Sequence, residues 1–182
     1  GEYDFVNNRI PSDQPSKPSP SPEVEAEPFV PVIRIDVKGG GGLESKEEYV
    51  KVNVTIQETE DIVYSAAGRA KGRGNATWGY EKKPYKIKFD EKLGVLGFAA
   101  NKEWVLLANY ADKTLLRNVV AMRLSEIVGM TWTPSMLPVE LYLNDEYMGC
   151  YTFSEHKKVS KHRVDLDIVG ESDNSGDAVT GD

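Results

Sequence analysis

Hydrophobic and polar residues alternate along several short runs of the chain. Residues 49–56 alternate valine and isoleucine with lysine, asparagine and threonine, which is the period-two pattern of a half-buried strand. Residues 30–37 form a shorter strand pattern, and the glycines at 39–42 predict a turn after it. The pattern of residues 57–70 is less clear, so no element is predicted there.

Beyond residue 84 the chain contains one more alternating run and several mainly apolar runs. Residues 85–89 place Tyr, Ile and Phe on one face of a strand and two lysines on the other. Residues 104–107 form another apolar run. The apolar runs at 139–143 and 147–153 flank Asn144-Asp145, a pair that favours a tight turn, so residues 139–153 are predicted to form a hairpin.

One helix is predicted between Asp112, a suitable N-cap, and Gly129, a suitable C′ residue. Spacing at about 100° per residue gives this helix two apolar sides. The main sector contains Leu116, Val120, Leu124, Ile127 and Val128, and the opposite one contains Leu115, Val119 and Met122. We expect the sheet to cover one side. An exposed apolar patch is expected around the three residues of the opposite sector.

Arg117 projects near the centre of the main apolar sector. A buried guanidinium is costly unless it is paired, so Arg117 is predicted to meet a carboxylate or several carbonyls in a structural role. Together these elements predict an α+β fold, a mostly antiparallel β-sheet with one main helix packed on it.

Composition divides the chain into three parts. Residues 1–28 are rich in proline and serine and poor in apolar side chains, which predicts a disordered tether. Residues 29–169 are predicted to form the folded domain, and residues 170–182 a polar loop at which the chain as given stops. A tether of this kind is typical of a lipid-anchored surface protein and also of an ordinary linker between domains.

Charge and composition disfavour several classes of function. The net charge of −7 disfavours a general nucleic-acid binder, and no apolar run is long enough to span a membrane. Cys150 is the single cysteine, so it cannot form an internal disulfide. His156 and His162 have no second pair of ligands nearby, so no metal site is predicted.

Basic residues concentrate between Arg69 and Lys92, where eight basic and three acidic residues occur in an otherwise acidic chain. Gly72 and Gly74 allow backbone N–H groups to approach an anion, and Arg73 adds a charged donor. This pattern fits either a localised anion site or a solvated cationic sheet face. It does not match a Walker A loop or the usual kinase glycine-rich loop.

Four motifs in a fixed order resemble those of the CotH (spore coat protein H) kinase-like family. They are Gly-Arg-Gly-Asn-Ala-Thr-Trp at 72–78, Lys-Lys-Pro-Tyr-Lys-Ile-Lys-Phe at 82–89, the segment from Trp104 to Asn118, and the segment from Val139 to Glu155. Ala76 stands where the family usually has serine, and Lys71 where it usually has arginine. Neither departure removes a charged group.

The resemblance implies the N-terminal lobe of an atypical protein kinase, the ATP-facing part of a secreted or surface phosphotransferase from ATP to protein. Lys86 or Lys88 would reach the ATP phosphates, with Lys86 preferred. Arg73 and Asn75 would shape the nucleotide site, and Glu155 would lie where two lobes connect. Trp78 and Trp104 are expected to be structural.

The same resemblance implies that the catalytic and magnesium-binding aspartates belong to a C-terminal lobe beyond residue 182. No catalytic residue is therefore expected here, and this chain alone is expected to be inactive, with ATP and magnesium bound only by a longer parent protein. The missing lobe and surface protein substrates would be its partners. The expected location is extracellular or at the cell surface, with a lipid anchor.

Two other functions remain open from the residues alone. In a non-catalytic binding module, a flat cationic face with exposed Trp78, Tyr80 and Tyr85 would hold a glycan or a partner protein. In a purely structural domain, Asp or Glu neighbours would neutralise the basic residues. The kinase hypothesis instead predicts that Arg73, Lys86 and Lys88 meet in one concavity.

Overall fold

The computed structural model describes residues 29–159 and 163–164. The predicted tether at 1–28 and the predicted loop at 170–182 lie outside the described residues. His162 and the remainder of the predicted domain after Val164 lie outside them as well.

The described chain contains seven strands, one α-helix and a short 3₁₀ helix. The strands are β1 (Val32–Val37), β2 (Val50–Gln57), β3 (Val63–Gly72), β4 (Tyr85–Leu93), β5 (Asn101–Leu107), β6 (Met136–Leu143) and β7 (Glu146–Glu155). The α-helix α1 spans Arg117–Ile127, and the 3₁₀ helix spans Ala76–Gly79.

The strands form a closed barrel in the order β1-β2-β3-β4-β5-β7-β6. Neighbouring strands are antiparallel, except that β1 pairs in parallel with β6 and so closes the barrel, with Val32 opposite Glu140. The predicted α+β fold, an antiparallel sheet resembling a kinase N-terminal lobe, is therefore wrong. Alternation shows which side chains of a strand face inward, but it does not show which distant strands pair.

Inward-facing side chains from all the strands fill the barrel. The largest fully buried ones are Trp104, Tyr151, Phe89, Phe153, Ile33, Ile35, Ile56, Ile87, Leu106, Leu141, Val52 and Val54. Trp104 stacks on Phe153 with ring centroids 5.0 Å apart, and its indole N–H donates to the carbonyl of Asn101. The core therefore lies inside the barrel, and the outer face of the wall is left for the helix and the loops.

The alternating patterns located most strands correctly. Strands β2, β4 and β5 and the β6–β7 hairpin are confirmed, and Asn144 and Asp145 both have the positive φ of a tight hairpin turn. Strand β3 was missed because small residues occupy most of its inward positions. Gly68 is one of them, and a Cβ there would lie only 2.7 Å from the carbonyl oxygen of Lys88 on β4.

Helix α1 is present, but the side it presents to the barrel is the opposite of the one predicted. Leu115, Val119 and Met122 are half-buried on the barrel side, so the prediction of an exposed patch there is wrong. The larger apolar sector, which was expected to face the sheet, is exposed at Leu116, Val120, Leu124, Ile127 and Val128.

The C-terminal end of α1 agrees with the prediction, and the N-terminal end does not. Gly129 has φ 74°, and the N–H groups of Gly129 and Met130 donate to the carbonyls of Glu126 and Ser125, which is a Schellman ending. Asp112 is not the N-cap, since the helix begins at Arg117. Its carboxylate nevertheless accepts the backbone N–H of Arg117 at 2.9 Å.

Arg117 is not buried, which contradicts its predicted position in the core. Its side chain is 75% exposed, and its Nε lies 3.6 Å from Asp112. A carboxylate was one of the two kinds of partner expected for Arg117, but Arg117 lies at the surface because the apolar sector around it faces solvent. Within the described residues, no helix is long and apolar enough to cross a membrane.

Candidate functional site

A cavity of about 650 Å³ lies between α1 and the outer face of the barrel wall. Val105 and Leu107 of β5 and Ser154 of β7 form its floor, because they alternate with side chains that point into the barrel core. Met122 of α1 and the loop at 130–134 form the opposite side. The cavity is therefore built by the part of the wall that the helix covers.

Basic side chains line this larger cavity. Arg73, His156, Lys157 and Arg163 contribute to its lining, and Glu155 is the carboxylate that lines it among the described residues. Burial lowers the pKa of Arg73 and of Arg163, and Glu155 partly offsets the effect at Arg163. The lining thus carries more positive than negative charge and can attract an anion.

A smaller cavity of about 220 Å³ adjoins the first. Arg73, Leu107 and Asn118 line both cavities, so they separate two parts of one groove. In the smaller cavity, Tyr80 stacks on Tyr110 with ring centroids 5.2 Å apart, and both rings are partly exposed. The groove therefore has a basic end and an aromatic end.

Lys86 lies on the outer face of β4, beside the larger cavity and not in its lining. Its Nζ is 2.9 Å from Oε2 of Glu103 and 3.0 Å from Nε2 of His156. Lys88 Nζ lies 3.9 Å from the other oxygen of Glu103. Arg73, Lys86 and Lys88 therefore do not meet in one concavity, although His156 connects Lys86 to the cavity that Arg73 lines.

Glu103 is the centre of this group of charges. Burial raises the pKa of Glu103, but the hydrogen bond and positive charge of Lys86, with Lys158 and His156, outweigh burial and hold that pKa at about 2. Burial and the charge of Lys86 lower the pKa of His156, although Glu103 acts in the opposite direction. His156 is therefore favoured as the neutral imidazole near pH 7.

Glu155 lies at the end of β7, where its two oxygens have different partners. Oε1 is 3.6 Å from Nε of Arg163, and Oε2 accepts the backbone N–H of Ser135 at 3.1 Å. The guanidinium of Arg163 lies 4.9 Å from the ring centre of Trp104, and its Nη1 donates to the carbonyl of His156 at 2.6 Å. This end of the barrel thus holds an arginine between a carboxylate and a core aromatic ring.

The remaining predicted residues lie apart from the groove. Asn75 is exposed just before the 3₁₀ helix, and its backbone carbonyl accepts the N–H of Trp78. Trp78 packs against the core, and Lys83 lies over its ring. Gly72 has to be glycine here, since a Cβ would collide with the Trp78 ring.

Sequence reasoning missed Glu103, His156 and Arg163. The alternation of β5 could have located Glu103 on the outer face, opposite the lysines of β4, but only the register places it beside Lys88. His156 was considered only as a zinc ligand. Among the described residues, no group of three or more His, Cys, Asp and Glu side chains could hold a metal ion.

Comparison with known families supports the resemblance seen in the motifs. A family described as CotH kinase protein matches residues 70–177, which is more than half of the chain. The match begins within β3 and includes the basic motif, α1 and the β6–β7 hairpin. No curated protein matches the chain. The chain therefore belongs to the CotH kinase protein family.

Proposed function

We propose that this chain is the ATP-facing portion of a protein kinase-like phosphotransferase, with ATP bound in the groove between α1 and the barrel wall. The observation that carries this proposal is the basic cavity inside the region matched by the kinase family. Its volume of about 650 Å³ lies within the usual range of small-molecule sites. Its excess of basic side chains suits the phosphates of a nucleotide.

Lys86 is the strand lysine that this proposal places nearest the phosphates. Protein kinases hold such a lysine with a glutamate, and Lys86 has a close ion pair with Glu103. Here the glutamate comes from the neighbouring strand β5 and not from a helix. The distance favours Lys86 over Lys88, which is 1 Å farther from the same carboxylate group.

The described residues around the groove do not fit a magnesium ion. Magnesium binds to carboxylates with free oxygens, whereas Glu103 and Glu155 are each engaged by basic side chains. We therefore give magnesium no role at these residues. The proposal for this part of the protein is ATP binding, and phosphoryl transfer would need acidic residues from elsewhere.

The described residues by themselves line the cavity, so this chain alone should bind ATP, unlike the expectation drawn from the family resemblance, and calorimetric titration of ATP into the chain tests this. We expect saturable binding, weakened about tenfold or more by Lys86→Ala because a charge-assisted contact to phosphate is lost. Lys51→Ala is the matched control, since Lys51 is exposed on β2, a strand that does not line the groove. A folded chain that shows no ATP binding would reject the proposal.

A non-catalytic binding module is the second candidate, and the aromatic end of the groove favours it. Exposed, stacked Tyr80 and Tyr110 next to Lys82 resemble a platform for the ring of a sugar. Against it, Tyr85 is buried and Trp78 is half-buried, so the expected row of exposed aromatics is incomplete. Saturable binding of an acidic oligosaccharide, lost in Tyr110→Ala and kept in Lys86→Ala, would support this candidate over ATP binding.

We also propose an extracellular or surface location for the parent protein, supported by the Pro/Ser-rich composition of residues 1–28. Fractionation of the source cells with an antibody to the barrel tests it. Recovery in the cell-surface fraction is expected, and recovery only in the cytosol would reject it.

A further inference from the structure

Arg163 is the most deeply buried basic side chain among the described residues. Its relative exposure is 7%, although it lies just after β7 at the rim of the barrel. Its guanidinium has one hydrogen bond, from Nη1 to the carbonyl of His156. Its Nε and Nη2 are buried and have no hydrogen-bond acceptor within the described part of the chain.

The buried guanidinium of Arg163 therefore has fewer hydrogen bonds than it has N–H donors. Glu155 lies 3.6 Å from Nε, which provides charge compensation but is too long for a hydrogen bond. Trp104 contributes a cation–π contact on one face of the guanidinium. Buried N–H groups of charged side chains almost always have acceptors, so these two donors indicate an additional acceptor beyond those that the described residues supply.

The position of Arg163 shows where that acceptor would lie. Arg163 lines the larger cavity together with Arg73, His156 and Lys157. Lys86 and Lys88, by contrast, are already paired with Glu103 on the neighbouring face. The buried donors without a described acceptor therefore belong to Arg163 in the cavity, whereas Lys86 would share its ammonium group between Glu103 and a phosphate.

We propose that Arg163 is the principal anion-binding side chain of the cavity and takes a phosphate group of the ligand. A guanidinium presents parallel N–H donors that match two oxygens of a phosphate, which a lysine ammonium does not. Arg73, at the junction of the two cavities, would neutralise further negative charge of a polyphosphate. The choice of a nucleotide as the ligand rests on the proposed function, while the anion site at Arg163 rests on the burial and the free donors.

Titrations of inorganic tripolyphosphate, ATP and adenosine test the assignment. For the unchanged chain we expect tripolyphosphate and ATP to bind. Arg163→Gln is expected to lower both affinities about tenfold or more, because a charge-assisted pair of hydrogen bonds is lost. Arg123→Gln is the matched control, since Arg123 is an exposed arginine on α1, and it should leave both affinities unchanged.

Arg163→Lys is the second variant if Arg163→Gln does not fold. It keeps the charge beside Glu155 but loses the paired donors, so it should still weaken tripolyphosphate binding and leave thermal unfolding close to that of the unchanged chain. Adenosine binding, where it occurs, should be the same in both variants. A purely structural arginine would change thermal stability without this selective loss of phosphate affinity.

The outcomes separate this inference from the proposed function. Binding of tripolyphosphate that depends on Arg163, without binding of ATP, would keep the anion site and reject the nucleotide. Binding of ATP that is unchanged in folded Arg163 variants would keep the proposed function and overturn the role of Arg163. A chain that binds neither ligand would overturn both.

Discussion

Glu103 illustrates how one carboxylate organises the outer face of β4 and β5. Lys86, Lys88, His156 and Lys158 all have a nitrogen within ion-pair distance of it. Because Glu103 is mostly shielded from solvent, these contacts are screened less than a surface pair would be. The carboxylate therefore fixes the position of Lys86 beside the groove.

Replacement of Glu103 with Gln should reduce stability at neutral pH. The folded-state pKa of about 2 lies below the ordinary value of 4.5, so ionised Glu103 stabilises the fold above about pH 4.5. That stabilisation is lost as the pH falls from about 4.5 towards 2. We expect Glu103→Gln to lower the free energy of unfolding by about 1–3 kcal/mol at pH 7, measured by urea denaturation.

The difference between the unchanged chain and Glu103→Gln should shrink at pH 3, because Glu103 is then mostly protonated in the unfolded chain and the advantage of its ionised form in the fold declines. Glu126→Gln is the matched control. Its pair with Arg123 lies on the exposed surface of α1, so its loss should cost less than about 1 kcal/mol at either pH. An equal effect of the two variants at pH 7 would contradict this account of Glu103.

At the scale of the elements, α1 is a helix with apolar residues on two opposite sides. The barrel wall covers one of these sides, and the other side is exposed. Val119 and Val120 are adjacent in sequence yet face opposite ways. Val119 is half-buried against the barrel, whereas Val120 is 60% exposed. The pair therefore provides a direct comparison of the two sides of the helix.

Val119→Ala should destabilise the fold by about 1 kcal/mol, because part of an apolar side chain leaves its contact with the barrel wall. Val120→Ala should be neutral or slightly stabilising, since alanine has the higher helix propensity and little buried area is lost. Chemical denaturation of both variants measures the difference. A larger loss in Val120→Ala would mean that the exposed side is covered in solution.

At the scale of the whole molecule, Asn144 links the β6–β7 hairpin to β1. Its side-chain oxygen accepts the N–H of Val37 at 2.8 Å, and its side-chain amide donates to the carbonyl of Gly41 at 2.7 Å. Its backbone N–H donates to the carbonyl of Ile35 at 2.9 Å. One turn residue thus supports the parallel pairing that closes the barrel.

Asn144→Gly should lower the free energy of unfolding by about 1–2 kcal/mol, because it keeps the positive φ but loses both side-chain hydrogen bonds. Asp145→Gly is the control at the next turn position. Asp145 also has positive φ, and its side chain is 90% exposed, so this change should be neutral or stabilising. Equal effects would show that the turn alone, and not its link to β1, determines stability.

The sequence predicted local features better than long-range ones. The alternation in β2 and β4, the Asn144-Asp145 turn and the helix ending at Gly129 are set by neighbouring residues, and each was predicted correctly. Barrel closure and the orientation of α1 depend on partners far along the chain, which a local pattern does not contain. The basic motif led to Arg73, but Arg163 is distinguished only by its burial, which sequence does not show.

The parallel pairing of β1 and β6 has a consequence for how the protein folds. Val37 and Asn144, which bond across this seam, are 107 residues apart in the chain. During synthesis, one edge of β1 stays without its strand partner until β6 and the hairpin turn have been made. Contacts between such distant residues are associated with slow folding. The final closure of the barrel is therefore the step at which a chaperone or a competing sheet edge has the most time to intervene.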